Sequence, residues 1–149
     1  MRKFVRHWLP VILWMGVIFV GSSIGDVPRV GGRVTDGLAH RVAHLIEYAI
    51  LGGLLLRAMS KDRPVTKREA IITLIVVALY GASDEFHQRF TPGRSSEGLS
   101  VLFDVAGGAM GAWVYRQWTL RQSISRPPEH VPASSMESIG GASADDRPD

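Results

Sequence analysis

The sequence predicts an all-α protein: a polytopic transmembrane bundle of about four helices followed by a disordered C-terminal tail. Three observations predict it. The apolar residues, 46% of 149, are gathered into four blocks instead of alternating with polar residues at helical or strand spacing. Each block approaches the length that crosses a hydrocarbon core about 30 Å thick. Basic residues lie at the flanks of the blocks and are shared unevenly between the two sets of flanks.

The first block runs from Trp8 to about Ile24, after Arg2, Lys3 and Arg6. Pro10 lies close to its start, in the first turn, where a missing N–H is tolerated. A cleaved signal peptide is the competing reading, but no A-x-A pattern follows and three more apolar blocks come later. The second block, Val42 to Met59, carries His44 and Glu47 in its first half and Arg57 near its end. The third, Ala70 to Ala82, is short, and must take in Ser83 to His87 to cross, which makes its far end polar. The fourth, Leu99 to Trp118, has Asp104 in its second turn and Trp113, Tyr115 and Trp118 at its far end, as interfacial aromatics do. Its pairs Gly107/Gly111 and Gly108/Ala112 let a neighbouring helix approach closely, and the Gly107/Gly111 face is the expected contact of a homo-oligomer. From Ser123 the chain is rich in Pro, Ser, Gly and Asp and cannot bury enough surface to offset its ordering entropy. The expected division is a membrane domain over 1–122 and a disordered cytoplasmic tail over 123–149.

The absence of cysteine excludes disulfides, thiolate metal sites and a cysteine nucleophile. The net charge of +3 and a pI near 9.7 fit anchoring to anionic lipid better than nucleic-acid binding, because the basic residues flank apolar blocks and form no soluble face. Twelve Lys and Arg fall on the side of the termini and of the loop between blocks two and three, against five on the other side. Both termini are therefore expected in the cytoplasm.

That topology places His44, Glu47 and Tyr48 at the outer end of the second helix, Asp84, Glu85, His87 and Gln88 at the outer end of the third, and Asp104 at the outer start of the fourth. The turn at Pro92, Gly93 and Arg94 joins the last two. Only Lys and Arg set the topology, so this convergence of acids and imidazoles is independent of it. His44, Glu47 and Tyr48 share one helical face, as do Asp84, His87 and Gln88. A lone charge at the depth of Glu47 costs on the order of 2.5–3.5 kcal/mol by insertion scales, so it faces the bundle interior, is protonated, or is paired. Three readings of the cluster compete. It is a structural set of interhelical hydrogen bonds, a divalent-metal site with His44, Asp84, His87 and Asp104 as candidate ligands, or a polar pocket for an anionic lipid headgroup with His87 and Arg94 as donors and Arg89 at its rim, which Asp84 and Glu85 oppose unless a cation or a proton bridges them. His40 is read as a loop histidine, Ser22 and Ser23 as caps of the first helix, Tyr48 and Tyr80 as packing or interfacial residues, and Arg57 as an interfacial snorkel.

The runs His44-Leu-Ile-Glu47-Tyr48-Ala-Ile-Leu51-Gly52, Ser83-Asp84-Glu85-Phe86-His87-Gln88 and Pro92-Gly93-Arg94-Ser95, with Asp104 and Gly111, resemble the VanZ-like family of bacterial membrane proteins. The likeness covers roughly His44 to Gly111, and Ser22-Ser23 also fits it. It implies a four-helix domain in the bacterial cytoplasmic membrane. The founding member is associated with low-level resistance to teicoplanin, which acts at the cell envelope. Many relatives have Asn four residues after the fourth-helix Asp, where this chain has Gly108. The function so implied is to bind or handle an envelope lipid, a lipid-linked cell-wall precursor or a lipophilic glycopeptide. The alternatives are a metal-dependent hydrolase of a lipid phosphate or ester, with Glu47 or Glu85 as general acid or base, and a structural cluster in an oligomer or small transporter.

Overall fold

The computed structural model of the chain describes residues 1–24, 33–91 and 100–125, with only the backbone at 3 and 33–37. Four helices occupy them: α1 (Arg2–Ser23), α2 (Arg33–Ser60), α3 (Lys67–Gln88) and α4 (Ser100–Ser125). At 1.5 Å per residue, lengths of 22 to 28 residues span about 33–42 Å, enough for a bilayer core. By length and composition, α1, α2 and α3 can each cross a membrane. α4 is long enough too, but Asp104, its glycines and the polar end from Arg116 onward lower its hydropathy. α3 takes in Ser83 to Gln88 as the length argument requires.

Two boundaries differ from the sequence reading. α1 begins at Arg2, so Pro10 lies inside the helix and not in its first turn; within a bundle, neighbours tolerate the lost backbone hydrogen bond. α4 continues through Ser125, three residues beyond the expected edge of the membrane domain. The remainder of the expected tail, 126–149, lies outside the described residues.

The helices run up and down. His7 of α1 and Tyr115 of α4 both approach Asp62 in the turn between α2 and α3, at 3.9 and 3.4 Å. That turn follows Lys61 and Asp62 in the left-handed region (φ 51° and 61°). It leads into a capping box in which Thr66 accepts from the backbone N–H of Glu69 while the Glu69 carboxylate accepts from Thr66. Arg63 also donates to that carboxylate. At the opposite end the start of α2 and α4 meets the end of α1 and α3.

α3 shows what kind of solvent surrounds the bundle. Its buried residues are Glu69, Thr73, Val77, Gly81, Asp84, Glu85 and Gln88, mostly polar or small. Its exposed face carries Ile71, Ile75, Leu79 and Phe86. A helix in water would show the reverse, so the outer face is made for lipid. The apolar core that remains is narrow: Val11 and Ile18 of α1 meet Tyr48, Leu51, Leu55 and Ala58 of α2 and Val77 of α3.

Small residues bring α2 and α4 together. A Cβ on Gly107 would strike the Leu45 carbonyl oxygen, one on Gly111 the Ala49 carbonyl oxygen, and one on Gly52 the Gly108 carbonyl oxygen. The Gly107/Gly111 face expected to seat a second copy is thus filled by α2 of the same chain, because the α2 backbone needs the space a side chain would take. That homo-oligomer contact is withdrawn.

Candidate functional site

Close approach of α4 to α2 and α3 carries Asp104 into the bundle, where it is fully buried. Gly81 of α3 makes room for it: a Cβ there would lie 2.8 Å from Oδ2 of Asp104. Oδ1 of Asp104 is 2.9 Å from Nδ1 of His44, itself buried on α2. An ionised Asp104 can only accept, so Nδ1 carries the hydrogen, and in the neutral ring Nε2 then keeps the lone pair. Next along the same face, the rings of His44 and Tyr48 stack at 6.1 Å.

A second set joins α1 to α3. Oδ2 of Asp84 accepts from Ser22 Oγ at 2.8 Å and from Gln88 Nε2 at 2.9 Å, and Gln88 also donates to Ser22 Oγ. Ser23 Oγ gives its proton to the Phe19 carbonyl at 2.7 Å, so His87 Nε2, 3.1 Å away, is the donor to Ser23. Lower in the bundle, Trp14 Nε1 donates to the Glu47 carbonyl and Tyr80 Oη to the Met15 carbonyl, at 2.8 and 2.6 Å. These bonds fix the height of α1 against its neighbours.

Four buried atoms at this end have no hydrogen-bond partner among the described residues: Asp84 Oδ1, Glu85 Oε1, Asp104 Oδ2 and the Tyr48 hydroxyl. Three of the four are carboxylate oxygens, which take hydrogen bonds and give none unless protonated. Orphaned buried polar groups are uncommon because each forfeits its hydration. At the same end Gly21, Ser22, His40, Ala43, His44 and Glu47 line a cavity of about 80 Å³. That is room for about two waters, or for one hydroxyl or ammonium group. None of the orphaned atoms belongs to the cavity wall, but Ser22 and His44, which do, hydrogen-bond Asp84 and Asp104.

The sequence-selected residues can now be placed. His44, Tyr48, Asp84, Glu85, Gln88 and Asp104 are buried, and Glu47 and His87 are partly so, all at one end of the bundle. Arg94 lies outside the described residues. The four metal candidates divide between two sides of the bundle: His44 binds Asp104, while Asp84 binds Ser22 and Gln88 and His87 binds Ser23. Among the described residues no three His, Asp or Glu side chains come together as a donor set for a metal ion. His40 is not a loop residue: it lies in α2, one turn before His44, with ring centroids 4.4 Å apart. Ser22 and Ser23 do more than end α1, since they bind Asp84 and His87. Gly81, which admits Asp104, was missed; its signal was a small residue two positions before the Ser-Asp-Glu run.

Chemically, the His44 and Asp104 pair can accept a proton at Nε2, with the carboxylate stabilising the imidazolium that forms. The acceptor-rich surroundings favour a partner that donates hydrogen bonds. A family model described as VanZ/LLP1 matches residues 7–121. No curated protein and no solved structure matches the chain.

Proposed function

The chain belongs to the VanZ/LLP1 family and is a membrane protein, and on that footing we propose that it binds the polar end of an envelope amphiphile in the pocket walled by His44 and Glu47, with Asp84 and Asp104 buried behind it. The protein sits in the bacterial cytoplasmic membrane with both termini inside, which puts the pocket at the extracytoplasmic boundary. The distribution of charge supports that orientation: Arg57, Lys61, Arg63, Lys67, Arg68 and Arg116 gather at the opposite end. The amphiphile is an envelope lipid, a lipid-linked cell-wall precursor or a lipophilic glycopeptide of the teicoplanin kind.

The observation that carries this reading is the set of buried, unpartnered acceptors of Asp84, Glu85 and Asp104 at the end of the bundle that also holds a small polar cavity, whose wall residues Ser22 and His44 bind Asp84 and Asp104. Sugar hydroxyls, amides and ammonium groups supply the donors those oxygens lack. A purely structural cluster would close its own hydrogen bonds, as Ser22, Asp84 Oδ2 and Gln88 do. The test uses Asp84→Asn and Asp104→Asn, which keep side-chain shape and change the acceptor set. Both variants should lose teicoplanin tolerance in cells while keeping wild-type membrane abundance. A parallel fall in abundance and tolerance would assign the cluster to structure alone.

A hydrolase acting on a lipid ester or phosphate is the second reading. The observation that favours it is the His44 and Asp104 pair, with His44 on the cavity wall. In that case His44→Gln abolishes turnover of a lipid ester or phosphate by purified protein but leaves binding in place.

A further inference from the structure

We propose that the chain has a second binding site, independent of the polar pocket: a cleft between α3 and α4 at the basic end of the bundle, which seats an acyl chain of an anionic phospholipid with Arg116 on its phosphate. The cleft has a volume of about 180 Å³. Ala70 and Leu74 form its α3 wall, Ala109, Ala112 and Trp113 its α4 wall, and Leu56 of α2 its floor. The cause is local. Alanine at 70, 109 and 112 holds the helices close while leaving unfilled the space that leucine would occupy. An apolar cavity near this size excludes water and accepts a benzene-sized apolar group, so a segment of hydrocarbon chain fits it where water does not.

Charge selects which lipid. Arg116 is the polar member of the wall, one turn beyond Ala112 and Trp113, and is exposed. Lys67 stands three residues before Ala70 on the same face of α3, with Arg68 beside it, and both are exposed. Among the described residues none of these three cations has an acidic partner, because the nearby acids are engaged elsewhere. Asp62 takes Arg57 and Tyr115, and Glu69 takes Arg63 and Thr66. A phosphate monoanion is the complement of a free guanidinium at the top of an apolar cleft. The flanking faces, with Ile71, Ile75 and Val114 exposed, present an apolar surface suited to lipid.

Trp113 in the cleft wall is the reporter. The full chain with Trp8, Trp14 and Trp118 replaced by Phe is placed in phosphatidylcholine vesicles containing brominated phosphatidylglycerol or brominated phosphatidylcholine. The brominated anionic lipid should quench Trp113 at a mole fraction roughly fivefold lower, the increment expected for one basic residue near an anionic lipid, and Arg116→Gln should remove that difference. Equal quenching by both lipids would mean bulk lipid contact only. No quenching by either would mean that a second copy covers the cleft. A preference that survives Arg116→Gln would put the charge elsewhere. Each of these three results overturns the proposal. Mass spectrometry of the otherwise unaltered chain, released from mixed micelles, is the check that does not depend on the tryptophan replacements. One retained phosphatidylglycerol, absent in Arg116→Gln, supports the site, and no preferential adduct overturns it.

Discussion

Adding a single methyl group at Gly111 tests the geometry on which the polar pocket depends. In an isolated helix, Gly→Ala stabilises by about 0.5–1 kcal/mol because glycine gives up more backbone freedom on folding. At Gly111 the new Cβ would overlap the carbonyl oxygen of Ala49 and come within 2.6 Å of its carbon and 3.0 Å of its Cα. Those are backbone atoms of a packed helix and cannot rotate aside. Overpacking of this kind costs about 1–3 kcal/mol, here toward the upper limit, so the expected net loss is about 2 kcal/mol once the propensity gain is subtracted. Gly16→Ala is the control, since a Cβ there meets nothing within 4 Å and only the propensity gain remains. Thermal unfolding of both variants in mild detergent should move in opposite directions, Gly111→Ala down and Gly16→Ala unchanged or up. If Gly111→Ala were as stable as Gly16→Ala, α2 and α4 could not lie as close as described, and Asp104 would not reach His44.

Other perturbations probe the remaining parts. Asp104→Ala leaves the buried His44 without its partner and should cost about 1–3 kcal/mol in the same assay, whereas Asp104→Asn should cost distinctly less. Thr66→Ala removes a side-chain cap at the start of α3 and should cost about 0.5–2 kcal/mol, with Glu69→Ala comparable because it breaks the other half of the box. Because the chain has no cysteine, single cysteines report its orientation directly. A cysteine at Pro64 should react with an impermeant maleimide only from the cytoplasmic side, and one at the exposed Phe90 only from outside; the opposite pattern would reverse the topology.

The helices were legible in the sequence because a bilayer imposes a length and an apolar composition: three helices meet both demands, and the fourth meets the length with a less apolar composition. The polar cluster was legible because an ionisable residue in such a block must be sheltered or paired, which singled out His44, Glu47, Asp84 and Asp104. Their partners were not. That Asp104 binds His44 while Asp84 binds Ser22 and Gln88 depends on the rotation of each helix, which is set by backbone contacts at Gly52 and Gly107 and by the room Gly81 leaves for the Asp104 side chain. Small-residue spacing announced a close helix neighbour without saying whether that neighbour was the same chain, so Gly107 and Gly111 were given to an oligomer. His40 was assigned to a loop because α2 begins ahead of its apolar block, through Arg33 to Arg41, where hydropathy gives no signal.

The account rests most on buried acceptors that hold a ligand, and direct binding decides it. Purified chain in nanodiscs can be titrated with fluorescently labelled teicoplanin and, separately, with a labelled lipid-linked cell-wall precursor. At least one of the two should bind saturably, and Asp84→Asn with Asp104→Asn should weaken that binding tenfold or more while the protein stays folded, with a smaller loss of thermal stability than Asp104→Ala causes. Affinity indifferent to both substitutions, or no saturable binding of either probe, would contradict the account.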